Sequence, residues 1–404
     1  MNRSLVLGVF LPVLLFEIGF GALLPVVPLL AMDRGAGAAS AAAVVALLGI
    51  GQILADVPAG ALAARIGDRR AMLAAAGASV VVLVGMALVP GRASLALGVL
   101  ALGACNAVFM LARHAYLTDT TPVTHRARAL STLGGLNRIG LFLGPFAGAA
   151  VMHAGGLGSV IWLSAGAAAA SALVVLAVPD EPGHGVRSAD PEPRTSTWRV
   201  VVDHRRLFAT IGIAVVMVGA VRAARQTALP LWSDAMGLSP ATTSLIFGLS
   251  GAADMLLFYP AGKVMDRFGR LWTGIPSMVL LTAGFLLLPL TTDLTGLAWA
   301  AVLIGLGNGV GAGILMTLGS DASPPGVRPQ FLGVWHLLQD SGSAVGPLVV
   351  AAGPLVATLS AGIYATAGMS AVAGAALARW APRYSVHANG TTRRRAREDG
   401  HPDV

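Results

Sequence analysis

Long apolar runs, separated by short polar stretches, dominate the chain. Runs long enough to cross a hydrocarbon core, about 20 residues each, fall near 5–31, 39–63, 71–90, 94–117, 129–152, 158–178, 207–231, 241–262, 272–290, 295–318, 330–353 and 356–378. They predict an all-α membrane protein of twelve transmembrane helices. The first run could pass for a secretory signal by position, but it is too long and carries Glu17 and Pro25, so no cleavage is expected. Residues 179–206 interrupt the pattern with Pro179, Pro182, Pro191, Pro193 and mixed charge. They predict a linker, with an amphipathic stretch around 198–206 lying on the inner leaflet. The chain thus divides into a six-helix bundle over 1–178, a linker over 179–206, a second six-helix bundle over 207–378 and a basic tail over 379–404. The tail is expected to be disordered and drawn to anionic lipid.

Composition sharpens this picture. Charged residues make up 11% of the chain and hydrophobic ones 55%, whereas a soluble protein carries about a quarter charged residues. The 51 glycines suit helices that pack closely in lipid. A net charge of +8 would fit a nucleic-acid binder if the basic residues formed a patch, but they lie in short loops. Of the 27 Lys and Arg, 21 fall on the side of the N-terminus, Arg34 and Arg92 fall on the other side, and four lie within spans. That asymmetry predicts a multi-pass protein of the cell membrane with both termini cytoplasmic, and argues against a nucleic-acid partner. A single cysteine, Cys105, excludes a disulfide or a thiolate metal site within the chain.

The chain also repeats itself. A shift of 202 residues, without a gap, lays Pro58, Ala59 and Gly60 on Pro260, Ala261 and Gly262, Arg65 on Arg267, and Gly67 on Gly269. The same shift pairs Pro28 with Pro230, Gly103 with Gly305, Asn106 with Asn308, Asp119 with Asp321, and Gly140, Gly144 and Pro145 with Gly342, Gly346 and Pro347. The segment Gly262–Arg270, containing Asp266, Arg267, Gly269 and Arg270, resembles the loop signature of the major facilitator superfamily, found between helices two and three and again between eight and nine. The first copy departs from it, with Ala64 in place of the Asp and Asp68 where an Arg is usual. The resemblance implies two pseudo-symmetric six-helix bundles, a monomer working by alternating access, with a small-molecule substrate, protons and the bilayer as partners and no cofactor. Gly60, Gly67, Gly262 and Gly269 are expected to let helix ends approach closely, and the Asp-Arg pair to bond a neighbouring helix end as a gate latch.

Eight charged side chains lie within the spans: Glu17, Asp56, Arg113, Arg138, Arg222, Arg225, Asp254 and Asp340. At roughly 3 kcal/mol each, eight facing lipid would cost about 24 kcal/mol, beyond the roughly 5–15 kcal/mol of net stability of a typical protein. They must therefore face one another or water. The four acids are candidate proton carriers. Glu17 leads because it stands alone on its span among apolar neighbours; an ion pair with Arg113 or Arg138 that merely holds the bundle is the competing reading. Asp56 follows Gln52 by one turn on the same face, and Asp254 occupies the repeat position of Gln52. Substrate-cavity candidates are Asn106 and Arg113 on one face of span four, Arg138 on span five, Arg222, Arg225 and Gln226 on span seven, and His336 and Gln339 beside Asp340 on span eleven. On span five, Gly140, Gly144, Pro145 and Gly148 are similar to the antiporter signature of the superfamily's drug exporters, whose usual helix-four Arg is missing near Leu100.

Other classes fit poorly. There is no paired His/Cys set or nucleophile motif for a membrane enzyme: His114, His153 and His336 are scattered. A nucleotide-driven pump lacks its phosphate loop, since Lys263 is followed by Val264. A non-transporting receptor stays open. Within transporters, proton-coupled export of amphipathic compounds competes with uptake of a small anionic metabolite, which the Arg222–Arg225 pair would favour.

Overall fold

The computed structural model describes residues 6–121, 123–177, 197–324 and 326–398. Their regular structure is entirely helical. In chain order the helices are α1 (Leu11–Leu23), α2 (Val27–Asp33), α3 (Ala38–Ile66), α4 (Asp68–Leu88), α5 (Arg92–Thr120), α6 (Val123–Gly155), α7 (Ser159–Ala177) and α8 (Thr197–Asp203). They continue with α9 (Ile213–Ala235), α10 (Pro240–Phe268), α11 (Leu271–Leu287), α12 (Leu294–Val310), α13 (Ile314–Ala322), α14 (Arg328–Val356), α15 (Leu359–Tyr384) and α16 (Gly390–Glu398). Most of the linker, 178–196, lies outside the described residues. Its end forms α8, where Trp198 is exposed and Val200 buried.

Ten of the described helices are long and apolar enough to cross a membrane, or eleven if α1 and α2 form one span bent by 42°. The expected eleventh run, 330–353, lies within the unbroken 29-residue helix α14. It is not among those ten because Gln330, His336, Gln339, Asp340 and Ser343 dilute its apolar character. Large apolar side chains face outward, Val81 at 72% and Leu256 at 74% exposure. Water would penalise such a surface, whereas lipid accepts it.

The chain clusters into two compact units, Met1–Asp190 with Leu229–Gly248, and Pro191–Ala228 with Leu249–Val404. In the first unit α1 packs on α6 and α7, α3 on α5, and α4 on α5 and α7. In the second, α11 packs on α12 and α15, and α14 on α15. The repeat survives at the level of single contacts. A methyl built on Gly103 would strike the carbonyl of Leu48, and one on Gly305 that of Ser250, which is again 202 positions on. Gly140 lies against Leu14 and Gly342 against Val216, related by the same shift. Small residues at these crossings let two helix backbones touch, which is how helices gain packing energy in lipid.

Three expectations need correction. Span ten still passes as one apolar crossing, Leu294–Ala322, but its helix is interrupted at residues 311–313, where Gly313 turns left-handed at φ +81°. A glycine is needed there because other residues resist that conformation. The gate segments are not loops for most of their length, since Gly60 and Arg65 lie inside α3, and Gly262, Asp266 and Arg267 inside α10. The turns are confined to Gly67 (φ +89°) in one copy and to Gly269 (φ +110°) with Arg270 in the other. A methyl on Gly60, Gly67 or Gly262 would meet nothing within 4 Å, so close approach explains Gly269 alone. Finally, the tail is not disordered through residue 398: α15 runs to Tyr384, and α16 carries Arg393, Arg394 and Arg395.

Candidate functional site

Two groups of embedded charge and one gate constellation emerge. In the first unit the crossing of α1 and α6 brings Glu17 beside Arg113 of α5. Arg113 Nη1 donates to Glu17 Oε1 at 2.7 Å, with the two side chains 1% and 2% exposed. Its Nη2 donates to Asn137 Oδ1 at 2.7 Å and also meets Met110 Sδ. Arg113 Nε is buried without a hydrogen-bond partner among the described residues. Phe16 and Phe109 stack at 4.1 Å beside the pair. A charged pair so deeply buried holds because each ion is the other's solvation. Of the two cations that could have met Glu17, Arg113 does so; Arg138 lies one position past Asn137, part-buried on α6.

The antiporter-like stripe meets this pair directly. A methyl on Gly140 would lie 2.5 Å from Glu17 Cβ and 3.1 Å from Leu14 O. Gly144 faces the backbone of Ile18, Gly21 and Ala22, and Gly148 lies 3.4 Å from Ala22 O by the same measure. Pro145 sits inside the continuous helix α6.

In the second unit the acid's counterpart is Gly219, and charge gathers elsewhere. Arg222 Nε donates to Asn308 Oδ1 at 2.7 Å, and Asn308 Nδ2 donates to Asp254 Oδ2 at 2.6 Å. Arg225 Nη1 lies 3.8 Å from Asp254 Oδ2 and 3.4 Å from Ser250 Oγ. Arg222 Nη1 also donates to Gly311 O at 3.2 Å, a carbonyl at the helix break. The interrupted helix therefore serves the cluster by offering it a backbone acceptor.

The other candidates are placed as follows. Asn106 is buried on α5, its Oδ1 without a partner among the described residues. Asp56 is part-buried on α3, Gln226 part-buried on α9, and His336, Gln339 and Asp340 lie on α14 with His336 exposed. Sequence reasoning missed Asn137, Asn308 and Asp321 as members of these networks. Asn308 was findable, being the repeat partner of Asn106.

At the gate, Arg270 grips Asp321 at the end of α13 through Nε at 3.1 Å and Nη2 at 3.3 Å. Asp321 also accepts from Ser385 Oγ at 2.5 Å. Asp266 reaches Arg270 only at 3.7 Å and is 79% exposed, against 11% for Asp321. The bond to a neighbouring helix end expected of Asp266 is made instead between Arg270 and Asp321, a shielded bidentate pair, whereas the exposed Asp266 pair is screened. Asp321→Asn should shift the balance between states open to opposite sides of the membrane, read by the labelling of an introduced cysteine. Asp266→Asn should shift it far less, and equal shifts would return the latch to Asp266.

An outward-facing apolar surface, a contact-level internal repeat and charged side chains set within apolar helices describe a multi-pass membrane protein. The Major Facilitator Superfamily model matches residues 9–347, and the chain belongs to that superfamily. Two relatives, uncharacterized MFS-type transporters of Mycobacterium tuberculosis strains CDC 1551 and H37Rv, are each 28% identical over 285 residues, covering 67% of this chain and 67% of theirs. Among solved structures, the nucleoside transporter NupG superposes with a TM-score of 0.74 at 16% identity, covering 94% of this chain and 99% of its own. A POT family transporter in complex with 5-aminolevulinic acid gives 0.76 at 10%, covering 95% and 97%. The human organic anion transporter MFSD10 gives 0.65 at 18%, covering 93% and 99%.

Proposed function

We propose that this superfamily member is a proton-coupled exporter of small amphipathic compounds, acting by alternating access as a monomer in the cell membrane with both termini cytoplasmic. The observation that carries the reading is the contact between the antiporter-like glycine stripe and Glu17. A proton carrier must be shut off from water on one side while it is open on the other, and a close-packed glycine crossing beside the acid supplies such a seal. When Glu17 takes up a proton, Arg113 loses a counter-charge but keeps Asn137 Oδ1. The buried cation is then left without a counter-charge, a cost that a change of conformation or bound substrate has to offset for the protonated state to be populated. Asp56, Asp254 and Asp340 stand behind Glu17 as carriers. In the second unit the polar side of the substrate site falls to Arg222, Arg225, Asp254 and Asn308, with Gln226, His336 and Gln339 as further candidates; Asn106 and Arg138 are the candidates of the first unit.

Uptake of a small anionic metabolite is the second reading. It is favoured by two guanidinium groups gathered with Asp254 and Asn308, a donor set suited to a carboxylate or phosphate. MFSD10, a relative in fold, is an organic anion transporter.

The full chain in proteoliposomes with an imposed pH difference, offered a panel of cationic and neutral dyes and small organic anions, tests both. Dye accumulation that stops when the pH difference is collapsed supports export by proton exchange. Accumulation of an anion with no dye movement supports the second reading. Uphill movement indifferent to the pH difference sinks proton coupling.

A further inference from the structure

The C-terminal segment lies on the gate turn instead of leaving the molecule. The backbone N–H of Arg270 donates to His387 O and that of Leu271 to Ala388 O, both at 3.0 Å. Gly269 fits there because a methyl on it would lie 2.7 Å from Ala388 O. Arg393 then caps the end of α10: Nη2 donates to Asp266 O and Nη1 to Arg267 O, each at 2.9 Å. Helix-end carbonyls lack intrahelical donors, and an arginine is a suitable partner for them. Ser385, 1% exposed, ties the segment to the Arg270–Asp321 latch. Asn389 starts α16 as its N-cap, accepting from Thr392 N–H at 2.9 Å.

The same helix turns a basic face outward. Arg394 and Arg395 are exposed while Ala396 is buried. Arg394 meets Glu398 at 3.7 Å, a largely exposed pair that adds little and yields readily to a stronger anion. Arg379 and Arg383 are exposed on the last turns of α15. Around the turn stand Trp272 (60% exposed), Phe268 and Val386, all exposed. Exposed Trp at the end of an apolar helix marks the headgroup level of a bilayer. Basic side chains at that level fit anionic phosphates, each arginine adding to the attraction.

We propose that residues 385–398 form a lipid-reading strap: Arg394 and Arg395 take anionic phospholipid headgroups, while Arg393 and the 387–388 carbonyls hold the α10–α11 turn. Headgroup binding stabilises the docked strap and, through it, the Arg270–Asp321 latch. The full chain in nanodiscs of phosphatidylcholine, alone or with roughly a third phosphatidylglycerol, tests this by amide hydrogen exchange at Arg270 and Leu271, whose N–H groups bond the strap. Anionic lipid should slow both amides roughly tenfold or more. Arg394→Gln with Arg395→Gln, at exposed positions, should erase the lipid effect without altering protection elsewhere in α10 and α11. Arg393→Ala should uncouple the turn, leaving its amides indifferent to lipid. Equal exchange in the two lipids, or a lipid effect that persists in the double variant, would overturn the proposal.

Discussion

Glu17→Gln should abolish uphill transport driven by a pH difference, a loss of at least about tenfold, while downhill exchange of a neutral substrate persists and loses its pH dependence. Glutamine keeps the size and hydrogen-bonding reach of the acid but cannot carry a proton. The substitution also leaves Arg113 without its carboxylate, and removing one member of a buried pair costs about 3–5 kcal/mol. A plain stability defect could then mimic a coupling defect. The double variant Glu17→Gln with Arg113→Gln separates the two, because it removes both charges and leaves no ion stranded. If the double variant recovers thermal stability in detergent but not accumulation, Glu17 couples. If either variant still concentrates substrate in response to the pH difference, Glu17 is not the carrier and Asp254 becomes the next to test.

The second large effect is expected at Gly140. Valine there would place its Cβ 2.5 Å from Glu17 Cβ and 3.1 Å from Leu14 O, distances that force α1 and α6 apart. Overpacking of this kind costs about 1–3 kcal/mol, and the displaced crossing would also open the seal beside Glu17. Lower thermal stability together with proton leak in reconstituted vesicles is the expected outcome. Gly60→Val is the matched control: Gly60 belongs to the signature segment, yet a methyl on it meets nothing within 4 Å. Comparable damage at both positions would show that signature membership, and not helix crossing, sets the cost.

Much of this protein was legible in its residues. The apolar runs marked the helices because lipid offers no partner for a backbone N–H or C=O, so apolar length and helix must coincide. Gly103 and Gly305 announced the repeat, and each meets a carbonyl 202 positions apart, since a close crossing tolerates no side chain in either copy. The polar content of 330–353 warned that this run is apolar on less than its full surface, a warning that counting apolar residues alone passes over.

What stayed hidden depended on contacts between distant segments. Sequence offered Glu17 two arginines; only the crossing of α1, α5 and α6 selects Arg113 and adds Asn137. The break at 311–313 escaped notice because Gly309, Gly311 and Gly313 read equally well as packing glycines, and only the positive φ at Gly313 distinguishes them. The docking of the tail is hidden from local sequence for a related reason. Local composition determines whether a segment can form a core of its own, and 385–398 cannot, but it does not reveal that Gly269 and the unpaired carbonyls of α10 leave a place for it. Sequence by itself thus determined which stretches are apolar enough to cross a membrane and that the chain repeats over a shift of 202 residues, because hydrophobicity and periodicity are local properties. Tertiary structure alone decided which charges meet, since a partner 96 residues away leaves no trace in either neighbourhood.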